Sequence, residues 1–74
     1  MSTYENLFKT YEKYMIKADK MIREAYETKI KPEYEEVDIL RGKLLLISEI
    51  SSNEFISKKA KEKESELVSM LFDL

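Results

Sequence analysis

The chain has 74 residues, 43% of them hydrophobic and 38% charged, with 13 basic against 15 acidic side chains and a net charge of −2. It contains no histidine, cysteine or tryptophan, which excludes disulfides, thiolate or imidazole metal sites and the nucleophile–imidazole pairs of common hydrolases. One glycine (Gly42) and one proline (Pro32) are too few turn residues for a sheet, so the expected fold is all-α.

In chain order, Ser2 and Glu5 have the spacing of a capping box. After them Tyr4, Leu7, Tyr11, Tyr14, Ala18, Met21 and Ala25 recur at steps of three and four, and Phe8, Met15 and Ile22 widen the same stripe. These positions cover roughly 140° of one helix face, which predicts a first helix over residues 4–29. Pro32 closes that helix and is expected at the first position of the next, with Glu33, Glu35 and Glu36 near the positive end of its dipole.

The second helix is predicted over residues 33–50, with a strand at 43–48 as the competing reading for its short apolar run. Val37, Leu40, Leu44 and Ile47 form one stripe, and Ile39, Leu46 and Ile50 a second beside it. An apolar span of about half the girth places this helix between two neighbours. Gly42 costs about 1 kcal/mol in a helix interior and is read as room for a close crossing. Ser51-Ser52-Asn53-Glu54 signals a break and a restart. A third helix is predicted over 53–72, with Ile56, Ala60, Leu67, Leu71 and Leu74 on its inner face. Lys63 interrupts that face, so the helix middle is expected to pack thinly.

The expected architecture is one domain, residues 1–74: a three-helix bundle with a long first helix. A long two-helix hairpin is the alternative if the chain runs straight through 51–53. A chain this short buries only about 60% of its unfolded surface, so self-association as a twofold dimer is expected. No stretch reaches the roughly 20 apolar residues of a membrane span. Met1-Ser2-Thr3-Tyr4-Glu5 lacks the basic start of a signal peptide, so a cytoplasmic location is expected.

No set of residues carries recognisable chemistry. Arg41-Gly42-Lys43 lacks the other glycine and the hydroxyl of a phosphate loop. Glu35, Glu36 and Asp38 read as dipole partners rather than cation ligands. No enzyme activity, metal or cofactor is therefore expected. The one electrostatic feature is on the first helix, where Lys9, Lys13, Lys17, Lys20 and Arg23 fall within roughly 120° opposite the apolar stripe. They are the candidate anion-binding residues, although Glu24 and Glu27 share the sector. Ile16 stands inside this basic face, and Leu45 lies off both stripes of the second helix. With Leu46 and Ile50 they are the candidate partner-binding residues.

Val37-Asp38-Ile39-Leu40-Arg41, followed by Glu66-Leu67, resembles in part the small two-helix phosphatases that act on aspartyl-phosphate in sporulation signalling. Val68 stands where that family carries its functional aspartate, so the activity does not transfer and the family is not adopted. The expected function is that of a non-enzymatic helical adaptor, regulator or inhibitor that binds a protein partner. The alternative is a small nucleic-acid-binding module using the basic face of the first helix.

Overall fold

The computed structural model describes residues 3–74, with side chains from Asn6 onward. Three helices account for nearly all of it: α1 (Thr3–Thr28), α2 (Tyr34–Ile50) and α3 (Glu54–Asp73). There is no strand among the described residues, and the chain breaks between α2 and α3, so the fold is a three-helix bundle and not the long hairpin. Contacts of Asp19 with Lys63 and of Tyr26 with Asp73 run α1 and α3 in the same direction. Those of Arg41 with Glu64 and Ser57 with Ser48 set α2 antiparallel to α3. The result is an up-down-up rod with extents of 40 × 19 × 18 Å.

Each helix end has a local cause. The Ser2–Glu5 capping box and the Tyr4 side chain lie outside the described residues. At the other end of α1, Lys29 takes a left-handed φ of 61° and its N–H reaches the Ala25 carbonyl at 2.8 Å. That is the helix-stopping conformation in which glycine is commonest. The Thr28 hydroxyl donates to the Glu24 carbonyl and accepts the N–H of Ile30, which turns the chain away from the helix. Pro32 does not occupy the first position of α2. Glu33 is the extended N-cap, at φ −61° and ψ 135°, and the helix begins at Tyr34. Glu35 and Glu36 do stand in the first turn, where they complement the dipole.

The break at 51–53 is built from side-chain hydrogen bonds. Ser51 Oγ accepts the Asn53 N–H at 3.2 Å, and Asn53 Oδ1 accepts the N–H groups of Phe55 and Ile56 at 2.9 and 3.2 Å. Two first-turn donors of α3 are thereby satisfied, a contribution of about 1 kcal/mol.

The core lies along the bundle axis. Tyr11, Ala18 and Ala25 of α1 face Val37, Leu40, Leu44 and Ile47 of α2 and Ile56, Ala60, Leu67 and Met70 of α3. Leu7, Tyr14, Met15, Met21, Ile22, Leu71 and Leu74 pack around this set. Fully buried alanines at 18 and 60 let the helix backbones approach, while Leu44, Leu67 and Met70 fill the space between.

Three further expectations are corrected. α2 is not apolar-covered on both sides: only its first stripe is buried, and Ile39, Leu46 and Ile50 are 61%, 51% and 60% exposed. Gly42 does not serve a close crossing, since a β-carbon there would meet nothing within 4 Å. The middle of α3 does not pack thinly. Lys63 occupies the inner face with its side chain only 15% exposed, held by Asp19 of α1 and Glu66 one turn on. A lysine can cover apolar surface with its stem while its ammonium pairs at the rim, so the stripe Ile56–Ala60–Lys63–Leu67–Met70 is continuous. Because Gly42 is exposed and contact-free, Gly42→Ala is expected to stabilise the monomer by about 1 kcal/mol. Chemical denaturation at low protein concentration reads this directly.

Candidate interaction surface

The amphipathic plan of α2 is satisfied on one side only. Leu40, Leu44 and Ile47 point inward, while Ile39, Leu46 and Ile50, at steps of seven and four, share a line on the flank beside them. Glu35, Glu36, Lys43 and Glu49 border this line, and all are exposed. No helix among the described residues is long and apolar enough to cross a membrane, so this apolar line is not part of a span.

Leu46 and Ile50 are thus brought together as candidate partner-binding residues, and Ile39 joins them. The stripe spacing already signals Ile39, which stands seven residues before Leu46. Leu45 is half-buried, and its carbonyl accepts the Ser48 hydroxyl at 2.7 Å. It belongs to the flank of α2 that carries Arg41, not to the exposed line. Ile16 is 67% exposed but sits alone on the outer face of α1. The four candidates therefore do not form one patch.

A groove between α1 and α2 was not legible in the spacing. It encloses about 620 Å³ and is lined by Tyr14, Met21 and Ala25 of α1, Ile30 and Pro32 of the connection, and Ile39 and Leu40 of α2. Ile30 is 69% exposed at its end. Lys17, Lys20 and Lys31 reach its edges, opposed by Glu24 and Glu36. Ile39 belongs both to the groove and to the α2 line, so the two apolar surfaces are continuous.

The five candidate anion-binding residues, Lys9, Lys13, Lys17, Lys20 and Arg23, are all exposed. None takes part in an ion pair among the described residues. Lys13 and Lys17 hold their ammonium groups 5.7 and 5.9 Å from the centre of the Tyr14 ring, within cation–π range. Lys17 and Lys20 turn toward the groove, so the row is shared between the groove edge and the outer face of α1.

The ion pairs that do form are architectural. Arg41 Nε donates to Glu64 at 3.0 Å and its Nη1 to Asp38 at 3.3 Å, joining α2 to α3. Burial pulls the Lys63 ammonium down, but hydrogen bonds and charge from Asp19 and Glu66 outweigh it, and the pKa ends above the ordinary 10.5. An amine activated as a nucleophile or base has its pKa lowered, so Lys63 is held in the opposite state. Burial raises the Tyr11 phenol, and a hydrogen bond to Asp73 raises that of Tyr26. Among the described residues no group of three or more acidic side chains is placed to hold a metal ion.

Comparison with family models, curated proteins and solved structures finds no match to this chain.

Proposed function

We propose that this chain is a non-enzymatic interaction protein that presents the outer face of α2, with the adjoining groove, to a protein partner. The observation that carries the reading is the line Ile39–Leu46–Ile50, each residue more than half exposed on a rigid helix. Apolar side chains scattered singly on a surface need no explanation. Three in register along one helix, continuous with a groove floored by Met21 and Tyr14, form the kind of patch that marks a contact site. The methionine adds adaptability to such a floor. A twofold self-assembly is the simplest form of this activity.

The test is a double substitution, Leu46→Glu with Ile50→Glu. Helicity by circular dichroism should be unchanged, because both side chains face solvent, while association with itself or with a captured partner is lost. Ile16→Glu, on the other side of the molecule, is the control and should associate as the parent chain does. Association that survives the double substitution would remove the basis of this reading.

A second reading, a nucleic-acid-binding module, is favoured by one observation: the five cations of α1 stand outside the ion-pair network. It requires binding that weakens steeply with salt, and a flat mobility-shift titration at low salt excludes it.

A further inference from the structure

The α1–α2 groove and the outer line of α2 are complementary to each other. The groove is mostly apolar, and Lys17, Lys20 and Lys31 stand at its edges against Glu24 and Glu36. The α2 line is apolar and is bordered by Glu35, Glu36 and Glu49, with Lys43 the one cation beside it. Within one molecule they cannot meet, because α2 is itself a wall of the groove. The α2 of a second copy can enter it.

Symmetry favours that arrangement. Each molecule carries both surfaces, so a contact made once is made again under a twofold rotation, the commonest closed assembly. Acidic borders entering a lysine-edged groove also set the register and suppress other partners.

We infer that the occupant of the α1–α2 groove is the outer face of α2 from a second copy of this chain. This rests on the reading of α2 given above and narrows it to one partner. The dimer buries Ile39, Leu46 and Ile50 of each copy against the other's groove and places the acids of α2 near Lys17 and Lys20.

Charge reversal tests it on the full chain. Light scattering or sedimentation equilibrium across a concentration series should show a dimer that weakens at about 0.5 M salt, where exposed charges are screened. Lys17→Glu/Lys20→Glu should weaken it about tenfold or more, and so should Glu36→Lys/Glu49→Lys. Both pairs are exposed, so circular dichroism should confirm unchanged helicity. Mixed in equal amounts, the two variants should form a heterodimer of restored strength, since each then offers the other opposite charges. A parent chain that stays monomeric up to about 1 mM, a dimer indifferent to both reversals, or a mixture that fails to pair overturns the inference. A monomeric parent chain whose capture of another protein is still abolished by Leu46→Glu with Ile50→Glu overturns the second-copy occupant alone. Capture that also survives that double substitution takes the reading of α2 with it.

Discussion

Leu44→Ala is expected to lower the stability of the bundle by about 3–4 kcal/mol. Leu44 is fully buried in the middle of α2. Truncation removes the transfer free energy of the lost carbons and leaves a cavity. Leu44 belongs to the same buried cluster as Ala18, Ala60 and Leu67, and close-packed walls relax only in part. A domain of this size has a total stability of roughly 4–11 kcal/mol, and each kilocalorie is worth about 4–8 °C in its melting midpoint. A fall of about 12–30 °C follows, measurable by thermal unfolding. Leu46→Ala, two residues on but facing solvent, should change the monomer by less than about 0.5 kcal/mol. Similar losses at the two positions would mean that α2 does not face inward as described.

Lys63 gives the second large effect, and its sign depends on the replacement. Lys63→Glu places a third carboxylate between Asp19 and Glu66 on a face that is mostly sealed. The expected cost at neutral pH is about 2–3 kcal/mol, below the full penalty for a buried unpaired charge because both acids are themselves more than half exposed. The new carboxylate has a raised folded-state pKa, since burial and two like charges favour its neutral form. Its protonation therefore restores stability as the pH falls toward 4, and the loss deepens as the pH rises through the folded value. Lys63→Met keeps the length and the apolar stem, and should be neutral or stabilising. Denaturation of the three chains at pH 4 and pH 7 separates charge from packing. Equal destabilisation by both replacements would show that the ion pairs, not the stem, hold α1 to α3. In the parent chain the sign runs the other way with pH. The raised Lys63 value keeps its contribution intact below 10.5 and removes it as the pH climbs through the folded value, and the raised Tyr11 phenol adds to the loss above 10.0.

The charge pattern of α3 shows how local reading and packing diverge. Lys58 to Glu66 reads in sequence as a solvated run, and most of it is exposed. Lys63 lies four residues before Leu67 and three after Ala60, on the core face by helical position. Polarity argued against that placement; only the presence of Asp19 on a different helix, within reach of its ammonium, makes it favourable. Met70 and Leu71 are a milder case. Both are apolar neighbours near the end of α3, and the bundle seals Met70 while leaving Leu71 half-buried.

The candidate surface was legible in the same partial way. Leu46 and Ile50 could be named because a helix with two apolar stripes in a chain this short has more apolar surface than it can cover. Ile39 carried the same signal by its spacing. Leu45 and Ile16 break the apolar pattern of their helices, and the bundle sends them to different sides. The groove had no sequence signal. Tyr14 and Met21 read as core, Ile30 and Pro32 as connection, and Ile39 as helix flank; they share a boundary only where α1, the connection after Lys29 and α2 meet.

What the amino-acid order by itself determined is the set of three rods and their punctuation. Helical periodicity, the scarcity of glycine and proline, and the capping group at Ser51–Asn53 act over a few residues and need no partner. What only the tertiary structure decided is which flank of α2 faces water, that a lysine joins the core face, and that a groove opens between α1 and α2. These depend on the angle and spacing at which one helix meets another. That geometry is set by side chains distant in sequence, and no local period encodes it.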